Sequence, residues 1–235
     1  MRGILCFGDS ITFGRGENPS IWWVGRLKTW FEVQDERNGV YNLGIPGQSS
    51  AELLKRLDGE ADTRLRIKSD EDQFTILMAI GANDTRIDFT PQGNVARCPI
   101  EDFDKNIKEL LKKAKSKKAQ IGVIGLMPMD EAKSKDYHNS CFENARLKKY
   151  HQIIQKRCKE LQIPCLDIFD QAMKENYIMT LEDGIHPNEK GYDLMFKHVR
   201  EFLIKDNLLP ITEKELSSIK KAHNITSVQA RTDSL

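Results

Sequence analysis

The sequence predicts an α/β fold built on a parallel sheet. Short apolar runs alternate with longer amphipathic segments, and each apolar run ends close to a Gly, Pro or Asp. Strands covered by helices on both faces read as near-continuous apolar runs rather than alternating ones. Strand–helix alternation of this length implies right-handed βαβ units. In 235 residues a hydrophobic fraction of 39 % supplies one sizeable core.

The expected strands are residues 4–7, 40–43, 74–80, 121–126 and 165–169, giving a five-stranded parallel sheet. Between the first two, Ser20 is placed to cap a helix carrying Ile21, Val24, Leu27 and Phe31. Ser49 and Glu52 have capping-box spacing ahead of Leu53, Leu54 and Leu57. Phe103, Ile107, Leu110, Leu111 and Ala114 repeat at helical spacing, as do Leu147, Tyr150, Ile154, Cys158 and Leu161. Tyr192, Met195, Phe196, Val199, Phe202 and Leu203 form the last strong stripe.

Two segments break the alternation. Residues 84–99 form a long polar connection with Pro91, Gly93 and Pro99, and connections that long are often functional. Residues 1–204 are expected to form the domain and 205–235 a C-terminal extension. There Thr212 and Glu215 start a short helix, and the chain from Asn224 onward is expected to be a mobile tail. The sequon Asn224-Ile225-Thr226 is taken as coincidental, because the N-terminus lacks a signal-peptide layout.

With 36 basic and 35 acidic residues the net charge is +1, which provides no global field for nucleic acid. No apolar run approaches the roughly 18 residues of a membrane helix, so no stable membrane insertion is expected. The five cysteines are scattered without a CxxC, which points to neither a disulfide framework nor a metal site. A cytoplasmic protein is the resulting expectation. Charge pattern says nothing about oligomeric state.

In open parallel sheets ligands bind beyond the carboxyl ends of the strands. Ser10 follows the first strand, Gly44 and Gly47 the second, Asn83 and Asp84 the third, while Asp183 and His186 precede the last helix. That set is complete for acyl transfer. A serine nucleophile needs a base, here His186, and the imidazole needs a carboxylate to fix its tautomer, here Asp183. The oxyanion needs donors, which the Ser10 and Gly44 N–H groups and the Asn83 amide would supply. Singly, each residue has a plainer use: Ser10 as a helix cap, the glycines in a turn, Asn83 in an Asx-turn, Asp183 and His186 at a helix start. Their joint placement at one sheet edge favours chemistry. His138, His151, His198 and His223 lack such a setting and are expected at the surface. Gly14 and Gly16 superficially open a GxGxxG motif, but Pro19 stands where its last glycine belongs.

These four blocks together resemble the SGNH hydrolases, also called the GDSL esterase/lipase family. Gly8-Asp9-Ser10-Ile11 resembles the first block, Gly44 with Gly47 the second, Gly81-Ala82-Asn83-Asp84 the third, and Asp183 with His186 the last. The resemblance implies a flavodoxin-like three-layer α/β/α sandwich. It also implies Ser10 as nucleophile, His186 as base, Asp183 as its orienting carboxylate, and an oxyanion hole of Ser10, Gly44 and Asn83. The GxSxG elbow of the α/β-hydrolases is absent, with Thr12 at its second glycine.

The expected substrate is a small-molecule ester with a short acyl chain, hydrolysed without metal or organic cofactor. Phe13, Trp22, Trp23, Phe89, Met127 and Met129 are candidate pocket residues, with Trp22 and Trp23 equally placed to be helix core. A carbohydrate O-acetyl esterase, a lysophospholipase or a thioesterase would use the same catalytic groups. A non-catalytic binding module is the contrasting class.

Overall fold

A computed structural model describes residues 1–16 and 21–223. The capping role expected of Ser20, the end of the glycine motif at Pro19, and the tail with its sequon lie outside the described residues. The chain runs β1 (Arg2–Gly8), α1 (Ser10–Phe13), α2 (Trp23–Glu32), β2 (Asn38–Gly44), α3 (Ser50–Arg64) and β3 (Gln73–Ala79). It continues through β4 (Ile87–Thr90), β5 (Gly93–Ala96), α4 (Ile100–Lys115), β6 (Gln120–Ile124), α5 (Glu131–Ser134), β7 (Ser140–Cys141) and α6 (Asn144–Leu161). Last come β8 (Cys165–Leu166), α7 (Phe169–Lys174), α8 (Glu189–Lys205) and α9 (Glu213–Ala222).

The main sheet has the order β2-β1-β3-β6-β8, and all its pairings are parallel. Every residue of β1 is buried, which explains its unbroken apolar run. Successive side chains alternate faces, so Leu5 and Phe7 join Leu53, Leu57, Ile107 and Leu147 from α3, α4 and α6. Ile4 and Cys6 face the other way, against Trp23, Leu27, Met195 and Val199 from α2 and α8. The helices thus cover both faces of the sheet in three layers. Removing one such side chain, as in Leu57→Ala, costs about 2–5 kcal/mol through lost transfer energy and the cavity left behind.

Local signals fix the helix starts. At α3 the Glu52 carboxylate accepts from the Ser49 N–H at 2.8 Å and the Ser49 hydroxyl at 2.7 Å. At α9 Glu215 does the same for Thr212, and it also meets Arg2 at 2.8 Å, tying the extension to β1. The final expected strand is cut to two residues: β8 is an edge strand that pairs with β6 at Val123 and Ile124.

The connection at 84–99 is not irregular. β4 and β5 form an antiparallel hairpin across Pro91 and Gln92, and β7 adds to β4, making a second sheet of three strands. These strands are half-buried or exposed, so they lack the apolar density that marks the main sheet.

The register positions the site. Gly8, the last residue of β1, pairs with both Gly44 of β2 and Ala79 of β3. Three strand ends therefore finish in one row. The chain leaves β1 toward β2 and returns across it to β3, so the switch point between β1 and β3 opens a crevice at this edge.

Candidate active site

Ser10 is the first residue of α1, a position whose N–H has no intrahelical acceptor. Asp9 caps the helix by accepting the Ile11 N–H at 3.0 Å. The Ser10 hydroxyl lies 2.8 Å from His186 Nε2, and His186 Nδ1 lies 2.6 Å from Asp183 Oδ2. The second Asp183 oxygen accepts the N–H groups of Ile185 and His186 at 2.9 and 2.8 Å. This loop is clamped from outside, since the Gly184 carbonyl accepts the Asp130 N–H and Leu181 bridges Pro187.

With Nδ1–H donated to Asp183, Nε2 carries the lone pair that faces the Ser10 hydroxyl. Burial alone would raise the Asp183 carboxyl, but its hydrogen bonds and the His186 charge outweigh that and hold it at about 2. Asp183 is therefore ionised throughout the neutral range. Asp9, fully enclosed, is pushed the other way by burial to about 6, against the pull of the Ile11 N–H and the His186 charge.

Asn83 faces the same cavity from the turn after β3, and one of its amide hydrogens goes to the Gln48 carbonyl at 3.2 Å. Asp84 behind it is buried and accepts the Ser50 N–H at 2.9 Å, which fastens the Asn83 turn to the start of α3. Desolvation raises the Asp84 carboxyl.

The expectation for Gly44 is corrected. Its N–H donates to Asn42 Oδ1 at 3.0 Å, and it does not line the cavity. Gly44 is glycine because a Cβ there would stand 2.2 Å from the Phe13 nitrogen. Gly47 lines the cavity instead. Residues 45–48 close with the Gln48 N–H donating to the Ile45 carbonyl at 3.2 Å, Pro46 second and Gly47 third with φ +76°. That is a type II turn, which requires a positive φ at its third residue and reverses the central amide. The Gly47 N–H finds no acceptor among the described residues, while its carbonyl is held by Arg97 at 2.8 Å. Arg56, reaching from α3, braces this corner by donating to the Leu43 carbonyl at 2.7 Å and to Gln48 at 2.8 Å.

The cavity over Ser10 measures about 280 Å³, and Pro46, Met129, Tyr137, Phe142 and Ile185 form its apolar wall. Of the expected pocket residues only Met129 lines it. Met127 lines a smaller cleft behind Asp9, Trp23 is fully buried against β1, and Phe13 and Phe89 are exposed at 45 % and 37 %. Trp22 packs edge-on to Phe13. Tyr137, unmarked by any sequence motif, lies with its ring 6.4 Å from the His186 ring. His151 is buried rather than at the surface, a further correction. Its Nδ1 accepts the Leu126 N–H at 3.1 Å and its Nε2 donates to Asp167 at 2.9 Å.

Among the described residues no group of His, Cys, Asp and Glu could hold a metal ion, and no helix is long and apolar enough to cross a membrane. A serine, a histidine and a carboxylate in line beside a switch-point crevice define a hydrolase of the three-layer α/β/α type. The chain belongs to the GDSL-like lipase/acylhydrolase family, whose model matches residues 6–194. No curated protein matches it. Among solved structures it is similar to a lipase/acylhydrolase from Enterococcus faecalis, with 26 % identity, TM-score 0.66, and coverage of 90 % of this chain and 100 % of that one. It shares its fold with the psychrotrophic esterase EstA of Pseudoalteromonas sp., at 19 % identity, TM-score 0.61, and 95 % and 100 % coverage. The fold also recurs in an acetyl xylan esterase from Geobacillus stearothermophilus, at 16 % identity, TM-score 0.65, and 86 % and 94 % coverage.

Proposed function

We propose that this hydrolase cleaves carboxylic esters of short acyl chains through an acyl-enzyme on Ser10. The observation that carries the proposal is the continuous relay from Ser10 Oγ to His186 Nε2 and from His186 Nδ1 to Asp183, at 2.8 and 2.6 Å. The Ser10 oxygen attacks the ester carbonyl as its proton passes to His186, and the carbonyl π pair moves to oxygen. Asp183, ionised, stabilises the imidazolium. The Ser10 and Gly47 N–H groups and the free hydrogen of the Asn83 amide then face the oxyanion.

Collapse of the tetrahedral intermediate breaks the bond to the alcohol, which leaves with the proton from His186. A water, deprotonated by the same His186, attacks the acyl carbon and releases the acid, returning the proton to Ser10. A cavity of about 280 Å³ sits at the lower bound of ligand pockets, roughly 300–1,000 Å³, and supports a short acyl group.

The test is hydrolysis of p-nitrophenyl esters of increasing acyl length by wild type and Ser10→Ala. Turnover by wild type that declines beyond about four carbons and vanishes in the variant is the expected result, given losses of about 10⁴–10⁶ on removing a serine nucleophile. Rates that rise with chain length would keep the mechanism and move the substrate toward lipids. Full activity in Ser10→Ala would refute the mechanism.

A further inference from the structure

Two arginines stand at the catalytic cavity without a role in the acyl-transfer steps. Arg15 and Arg86 both line it, whereas among the described residues no Asp or Glu does. The carboxylates near by are engaged: Asp183 on His186, and Asp88 on Arg86, whose Nε lies 2.7 Å from it. Among the described residues Arg15 has no carboxylate partner. A cavity of this size lined by two arginines, with no acid in its wall among the described residues, suits an anion.

Both arginines are mounted on the catalytic residues themselves. The Arg15 N–H donates to the Ser10 carbonyl at 3.0 Å, and its own carbonyl accepts the Tyr192 hydroxyl at 2.6 Å. The Arg86 N–H donates to the Asn83 carbonyl at 3.3 Å, and its carbonyl accepts the Arg97 N–H at 2.9 Å. One guanidinium is thus carried from the nucleophile and the other from the oxyanion residue, with Tyr137 on the same wall. Burial and the Asp183 charge raise the Tyr137 hydroxyl, and the charges of both Arg15 and Arg86 pull it back, which places both within electrostatic reach of one point.

From this we propose that Arg15 and Arg86 form an anion-recognition pair that selects esters bearing a carboxylate or phosphate group beside the scissile bond. The proposal rests on ester hydrolysis at Ser10 and names the class of substrate for it.

Matched ester pairs differing only in the anion test it. Mono-p-nitrophenyl glutarate against its methyl ester places a carboxylate on the acyl side. Acetoxybenzoate against its methyl ester places one on the alcohol side, and acetoxyphenyl phosphate against its neutral dimethyl ester supplies the phosphate. At least one anionic ester is expected to exceed its neutral partner about tenfold or more in kcat/KM, the size of one charge-assisted contact. That ratio should fall to near one in Arg15→Gln/Arg86→Gln. In wild type it should also shrink as salt rises from about 20 to 500 mM, a readout independent of how the variants fold. Neutral esters turned over with no preference for any anionic partner would overturn the inference alone, as would a preference indifferent to both salt and the substitutions. Failure to hydrolyse any ester, with no phosphonate adduct on Ser10, would overturn the esterase function and the inference together.

Discussion

Two buried histidines each lie against an aspartate, and only one faces a nucleophile. At the mouth of the crevice His186 donates Nδ1–H to Asp183 and turns Nε2 to the Ser10 hydroxyl. On α6 His151 donates Nε2–H to Asp167, and its Nδ1 is consumed by the Leu126 N–H. The chemical parts are the same. What differs is the second nitrogen: His151 spends it on the backbone after β6, so it holds a strand exit in place and has no lone pair for a substrate. A His–Asp pair becomes a catalytic base only where the fold leaves the far nitrogen open to a hydroxyl.

The contrast is broken or sharpened by substitution. The largest effect is expected from His186→Ala, a loss of about 10⁴–10⁶ in kcat with folding retained. Equal losses in His151→Ala, in protein of native melting temperature, would erase the distinction. Next, Asn83→Ala should cost about 10²–10³ in kcat with KM little changed, the signature of a donor used only in the transition state. His151→Ala should leave kcat within about tenfold of wild type. It should instead lower stability by about 1–3 kcal/mol in urea, because the Leu126 N–H loses its acceptor.

The last effect concerns Asp9, a second and fully enclosed carboxylate within electrostatic reach of His186. Asp9 has its ordinary value of 3.8 raised to about 6 by burial. The folded chain therefore binds this proton more tightly than the unfolded one. Its contribution to stability is complete at low pH and is lost as pH climbs from about 4 through 6. Asp9→Asn keeps a cap for Ile11 and removes the charge. It should raise stability by roughly 1–3 kcal/mol at pH 8 and make no difference near pH 4, as thermal melts at the two pH values would show.

The centre of the sheet was legible because β1 and β3 are buried on both faces, and residues 4–7 and 74–80 announce themselves by unbroken apolar runs. Ser49 with Glu52 and Thr212 with Glu215 marked helix starts through local chemistry that needs no tertiary context. The hairpin of β4 and β5 escaped notice since its strands are mostly exposed, although Ile87 and Phe89 alternate with polar residues ahead of Pro91 and Gly93. Gly47 was readable in hindsight, because Pro46-Gly47 is a type II turn signature and Gly44 carries none. Trp23, four residues before Leu27 and eight before Phe31, was legible as core by helical spacing. The walls at Arg15, Arg86 and Tyr137 were not, because segments far apart in the chain meet there only through the fold.

The most direct test is reaction of the purified protein with a fluorophosphonate, followed by mass mapping of the adduct. The account predicts a single covalent adduct on the peptide carrying Ser10, absent in Ser10→Ala and strongly slowed in His186→Ala. An adduct at another serine, or labelling of Ser10 that proceeds at the wild-type rate without His186, would contradict it.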